Sequence, residues 1–213
     1  MSSPELSHQF KTLDQQAEAA TLGMWAFLVT ETLFFGGIFL LYTVYRLKFP
    51  AAFVECSKLM DLRLGAINTA VLLTSSLTMA FAINSAEGDK KNATVGWILV
   101  TMLLGTAFLG IKGFEYHLKF VEHLVPGPNF QLASMHSREA QIFFSLYFAM
   151  TGFHALHMII GLGVLAVIAA MAWRGKFTNT YSNPVRMIGL YWHFVDIIWI
   201  FLFPLLYLIG KRG

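Results

Sequence analysis

The stretch "GLYWHFVDIIWIFLFPLLYLIG", Gly189 to Gly210, decides the fold. Its length as a helix, at ~1.5 Å per residue, covers about 30 Å of hydrocarbon, and almost every side chain in it is aliphatic or aromatic. Two are not: His193 and Asp196 stand three residues apart inside the apolar run. A helix satisfies its backbone groups internally, which a lone strand in lipid cannot do. The stretch is therefore expected to cross a membrane as a helix, with two ionisable groups that need a partner or a watery cavity.

The rest of the chain agrees with that reading. Of 213 residues, 56% are hydrophobic and only 13% are charged, too few to coat a soluble domain. The formal net charge of +3 comes from basic residues placed singly or in pairs at the ends of apolar runs, where lipid headgroups meet them. No nucleic-acid surface is expected. The single cysteine, Cys56, excludes an intrachain disulfide, a Cys-x-x-Cys-His haem attachment and any site that needs two thiolates.

Five runs reach the length of a membrane span: Leu22 to Tyr45, Leu64 to Ala86, Ala93 to Ile111, Gln141 to Trp173 and Ile188 to Ile209. No ten-residue alternation suggests a barrel. The expected fold is an all-α integral membrane protein, a bundle of five transmembrane helices over residues 22–213 behind a polar N-terminal segment, 1–21. That segment has no early apolar run of the kind a secretory signal carries. "EGDKKN", Glu87 to Asn92, is a tight polar turn that makes the second and third helices antiparallel neighbours. The longest connection, His117 to Glu139, contains the helix-breaking "VPGPNF". Counting Lys and Arg gives six on the N-terminal side and nine on the other, among them Lys112 and Lys119, and by charge bias alone the C-terminus is cytoplasmic.

Ionisable residues inside the expected spans are few: Glu31 in the first, His154 and His157 in the fourth, His193 and Asp196 in the fifth. Three-residue spacing places each pair on one helix face. If the helices alternate in direction, Glu31, His157 and Asp196 share a middle slab of the bilayer, where a carboxylate and an imidazole can hydrogen-bond between helices. His193 and Asp196 are then expected to lock helix packing. Sharper readings are open: two histidines as haem ligands, a metal site from Glu31 and two histidines, or a proton relay through Glu31. Asn68, Ser75, Thr78 and Ser85 fall on one face of the second helix, and Thr101, Gly105, Thr106 and Gly110 offer small-residue spacing on the third. With 20 Phe and five Trp, aromatic faces such as "TLFFGGIF" point to lipid chains or a larger membrane partner.

Read together and in order, "LVTETLFFGGIFLLY", "GAINTAVLLTSSLTMA", "GFEYH", "TGFHALHMIIG" and "YWHFVDIIWIF" resemble subunit III of the haem-copper terminal oxidases, the cytochrome c and quinol oxidases. The likeness runs from about Leu22 to Gly210. The family's long form has seven helices, and this sequence matches a shorter, five-helix form that also resembles the accessory subunit of nitric oxide reductase. The resemblance implies a subunit with no cofactor of its own, haem and copper lying in partner subunits. It implies packing on the catalytic subunit I, support of proton uptake, protection during turnover and an N-terminus on the cytoplasmic side of a bacterial plasma membrane. Glu31 matches the family's carbodiimide-reactive membrane glutamate, while His154, His157, His193 and Asp196 match its two strongest motifs. Bound phospholipid is a further expectation, with Arg174 at the end of the fourth span able to meet a headgroup phosphate. An independent proton-coupled transporter using Glu31, or a haem-bearing membrane cytochrome, would be the other classes of protein to look like this.

Overall fold

In a computed structural model the described residues are 10–128, 130–132, 137–177 and 182–211; the first nine residues of the polar N-terminal segment and Arg212 lie outside them. The described chain is helical: α1 (Leu13–Lys48), α2 (Pro50–Lys58), α3 (Leu62–Glu87), α4 (Lys91–Val121), α5 (Ser137–Trp173) and α6 (Asn183–Phe203). A π-helical turn, Pro204–Leu208, and a 3-10 turn, Ile209–Lys211, carry the chain on from α6. α1, α3, α4, α5 and α6 with its π extension are each long and apolar enough to cross a membrane. At ~1.5 Å per residue, the 36 residues of α1 and 37 of α5 exceed a ~30 Å hydrocarbon layer, so these two must tilt or project.

Local signals set the breaks. Thr12 Oγ1 accepts from Gln15 N at 3.1 Å and caps α1, and Asp61 caps α3 by accepting from Arg63 N at 2.8 Å. Phe49, next to a proline, leaves helical geometry (φ −130°, ψ 58°), and Pro50 then starts α2 at a position where a missing N–H costs nothing. The α3–α4 turn needs a left-handed residue at Asp89 (φ 54°), and α4 ends through another at His123 (φ 55°).

α3, α4, α5 and α6 form the main bundle, with α6 at its centre: 56% of its membrane window is buried against 11% of that of α1. Apart from Val95, buried positions on α4 alternate by four and three: Thr94, Ile98, Thr101, Gly105, Phe108, Lys112, Glu115, Lys119. Such a 3.5-residue period is the seam of left-handed helix packing. α1 repeats it more thinly. Leu28, Phe35 and Tyr42 are buried, and Met24, Glu31, Ile38 and Tyr45 half-buried between them, so α1 rests on α5 and α6 along one line and turns the rest of its circumference outward.

Two expectations change. α2 was not foreseen: it tucks beneath α5 and receives the C-terminal turn. α4 runs on to Val121 rather than stopping at Ile111. Lys112 and Lys119, counted as loop charges facing headgroups, are buried in the bundle with protein partners. Without them the basic count stands at seven against six, and the charge bias nearly vanishes.

Candidate functional site

Glu31 occupies a seam position of α1 and meets α5: its Oε2 lies 3.0 Å from His157 Nε2, with side-chain exposures of 20% and 13%. The other ring nitrogen, His157 Nδ1, lies 2.8 Å from the carbonyl oxygen of Phe153. A carbonyl only accepts, so Nδ1 must carry a hydrogen. The contact between Nε2 and Oε2 then holds one proton, on the carboxyl or on the ring. The pair is neutral overall in both arrangements and can pass that proton between its two atoms. Phe35, one turn along α1, packs its ring 5.2 Å from the imidazole, and Tyr191 of α6 donates to the His157 carbonyl at 2.8 Å, so three helices fix the pair.

His154 and His157 do not share a neighbour, although they are one turn apart. A three-residue step leaves side chains about 60° apart. His157 faces α1, whereas His154 is 1% exposed and enclosed by Phe108 and Trp199, with ring centroids 5.4 and 5.2 Å away. Neither nitrogen of His154 hydrogen-bonds to a described residue. His193 Nδ1 lies 2.7 Å from Ser76 Oγ and ties α6 to α3. Asp196 faces the same serine, yet neither of its carboxyl oxygens makes a hydrogen bond to the described residues. Ser76 of α3 thus stands against both ionisable groups of α6: its hydroxyl meets His193 Nδ1 and lies near enough to Asp196 to act on the carboxyl.

The α3 face read from the sequence is buried at Asn68, Ser75, Thr78 and Ser85. Thr78 Oγ1 and Thr101 Oγ1 share a hydrogen bond of 2.8 Å, and Trp192 Nε1 donates to Ser75 Oγ at 2.9 Å. Gly105 admits the same indole: a Cβ there would sit 2.8 Å from Trp192 Cη2.

A polar cluster that sequence reasoning missed lies toward the other end of the bundle. Lys112 Nζ donates to Glu115 Oε2 at 3.0 Å, Tyr147 OH at 3.0 Å and Tyr207 OH at 2.7 Å. The phenols of Tyr147 and Tyr207 donate in turn to Glu115 Oε1, at 3.0 and 2.6 Å. All three ammonium hydrogens are used, the carboxylate is saturated and the charge is balanced, which is what a buried ion pair requires. The rings of Tyr147 and Trp199 lie 4.6 and 5.3 Å from Nζ and add cation–π attraction. The overlooked signal was the four-and-three spacing from Thr94 to Phe108, which continues through Lys112, Glu115 and Lys119.

Among the described residues no three His, Cys, Asp or Glu side chains are grouped to hold a metal ion. An axial haem pair needs two imidazoles facing one another across a macrocycle, and the three membrane histidines instead face a carboxylate, two aromatic rings and a serine. Arg174 is exposed at the end of α5. Cys56, on α2 outside the spans, is 1% exposed; burial, with the Glu55 carboxylate beside it, pushes its thiol up to about 12. It therefore stays protonated and is no nucleophile.

The family model for cytochrome c oxidase subunit III matches residues 8–211. A cytochrome bo(3) ubiquinol oxidase subunit 3 from Pseudomonas aeruginosa is 31% identical over 97% of this chain and 92% of its own length. A probable quinol oxidase subunit 3 from Staphylococcus haemolyticus is 31% identical over 96% of this chain and 98% of its own. A cytochrome c oxidase subunit 3 from Alkalihalophilus pseudofirmus is 32% identical over 95% and 96%.

Proposed function

This chain belongs to the cytochrome c oxidase subunit III family, and on that premise we propose that it packs on subunit I of its haem-copper oxidase, supports proton uptake there and prolongs the working life of the complex. Haem and copper belong to the partner subunits. The chain sits in the bacterial plasma membrane with its N-terminus on the cytoplasmic side, and Arg174, exposed at the end of α5, meets a phospholipid headgroup.

One observation carries the reading: the Glu31–His157 pair holds a single proton on the flank of the bundle, half-buried under the loosely attached α1, where a neighbouring chain can reach it. Polar groups at this depth are costly unless paired or covered.

Glu31→Gln tests it in the assembled oxidase. The amide can donate to His157 Nε2 and keep the packing, while the exchangeable carboxyl proton is lost. The number of turnovers before inactivation should fall several-fold with the haem spectrum unchanged. An unchanged lifetime would remove the pair from this role, and loss of haem or copper would overturn the assignment of the chain as free of redox centres.

A further inference from the structure

Three polar side chains at the centre of the bundle have no hydrogen-bond partner among the described residues. They are Asp196, with both carboxyl oxygens unpaired, His154, with both ring nitrogens, and Asn68, with both amide atoms. All three are buried, at 3%, 1% and 0% exposure. They come from α6, α5 and α3, and each is tied to Trp199 by a ring contact or by a short step along its own helix. The His154 ring lies 5.2 Å from the Trp199 ring. The Trp199 indole N–H donates to Oγ1 of Thr69, next to Asn68, at 3.1 Å. Asp196 stands one turn before Trp199 on the same helix.

The register of α3 against α6 brings them to one level. The pairs Ser76–His193, Ser75–Trp192 and Thr69–Trp199 run antiparallel. Asp196 is thereby level with Leu72, and Asn68 lies one turn away, ~6 Å along the axis. Buried polar atoms are almost always paired with protein or with ordered water. Six such atoms from three helices, at nearly one level of the bundle, call for a partner that the described side chains do not supply.

We propose that Asp196, His154 and Asn68 hold a cluster of bound water around Trp199, a hydrated layer in the middle of the bundle. The atoms to be satisfied are of both kinds: the carboxyl oxygens, the amide oxygen and one imidazole nitrogen accept, while the amide hydrogens and the other ring nitrogen donate. Water meets both needs. A metal cation meets only the first, and the Lys112 ammonium, 5.3 Å from the Trp199 ring, already brings positive charge to this place. The layer lies between the Ser76–His193 contact and the Lys112–Glu115 cluster. Hydrogen-bonding groups thus follow one another along the interior of α3, α4, α5 and α6.

Radiolytic hydroxyl-radical labelling of the assembled oxidase, read by mass spectrometry, tests this directly, because a bound water broken in place oxidises the side chains that touch it. Phe108 and Phe143 make a matched pair. Both are 0% exposed, but Phe108 packs on His154 and Trp199 at 5.4 and 4.8 Å, whereas Phe143 packs on Phe53 and Phe144. Phe108 should label several-fold faster than Phe143, with Trp199 labelled as well. Asn68→Leu, close in volume and without polar atoms, should bring Phe108 down toward the rate of Phe143. Equal rates for the two phenylalanines in the native complex would overturn the proposal even if the variant failed to assemble. So would an Asn68→Leu complex in which Phe108 labels as before. The comparison reads the wetness of the interior alone and is independent of any effect of Glu31 on turnover.

Discussion

Glu115 and Lys112 show how a single atom governs the stability of a buried pair. Glu115→Gln leaves the ammonium with its phenol acceptors but no counter-charge, at 2% exposure, and removing one partner of a buried pair typically costs ~3–5 kcal/mol. The double variant Lys112→Met, Glu115→Leu removes both charges and fills the space with apolar atoms. It should recover most of the loss, leaving a smaller deficit from the two phenols that lose their partners. Thermal unfolding of the purified protein in detergent checks this: the Glu115→Gln midpoint should fall well below that of the double variant, and the reverse order would show the pair to be dispensable. Recognising these residues from sequence failed for a physical reason. Hydropathy ends a span at the first cluster of charge, while a lysine and a glutamate three apart on one helix can cancel one another and continue inside. Glu31 and His157 were legible, because each stands alone in an apolar run and needs an opposite number at similar depth.

At the scale of elements, the C-terminal turn is held by groups that the sequence gives little reason to connect. The carbonyls of Leu205 and Leu206 fall in the last turns of the helical chain, where backbone donors run out. Tyr42 OH donates to the first at 2.6 Å and Ser57 Oγ to the second at 2.8 Å. Gly210 closes the contact: a Cβ there would lie 2.7 Å from the Val54 carbonyl oxygen and 2.9 Å from Lys58 N, both backbone atoms of α2 that cannot swing aside. Gly210→Ala should therefore pry the turn from α2, seen as faster amide exchange at position 210 and along Leu205–Leu208 with α3 to α5 unchanged. The five spans were readable from composition, since lipid forces helix on any long apolar run. The inward face was readable only on α3, where Asn68, Ser75, Thr78 and Ser85 mark it; elsewhere lipid and protein interior are equally apolar and leave little contrast to mark the seam. α2 was missed for the opposite reason: nine residues headed by a proline carry too little pattern to stand out from a loop.

For the molecule as a whole, the contrast between α6 and α1 sets an order of opening. α6 has more than half of its membrane window buried in the main bundle, with Ile197, Ile200 and Phe201 exposed on one side, whereas α1 is held by one line of side chains and a half-buried ionisable pair. Segments with few buried contacts open at lower free energy than the core. In detergent, backbone amides between Met24 and Tyr45 should exchange before those of α6, and Phe35→Ala should widen the gap by loosening α1 alone. Equal protection of the two helices would mean that the seam is stronger than its width suggests.

The narrow seat of the outermost helix also has a mechanical meaning. Turning α1 by a single residue step, about 100°, would carry the Glu31 carboxylate off the imidazole and break an ionic contact of that seat. The proton held there thus acts as a latch that senses torque: whatever grips the outward side of the helix decides whether it stays shut.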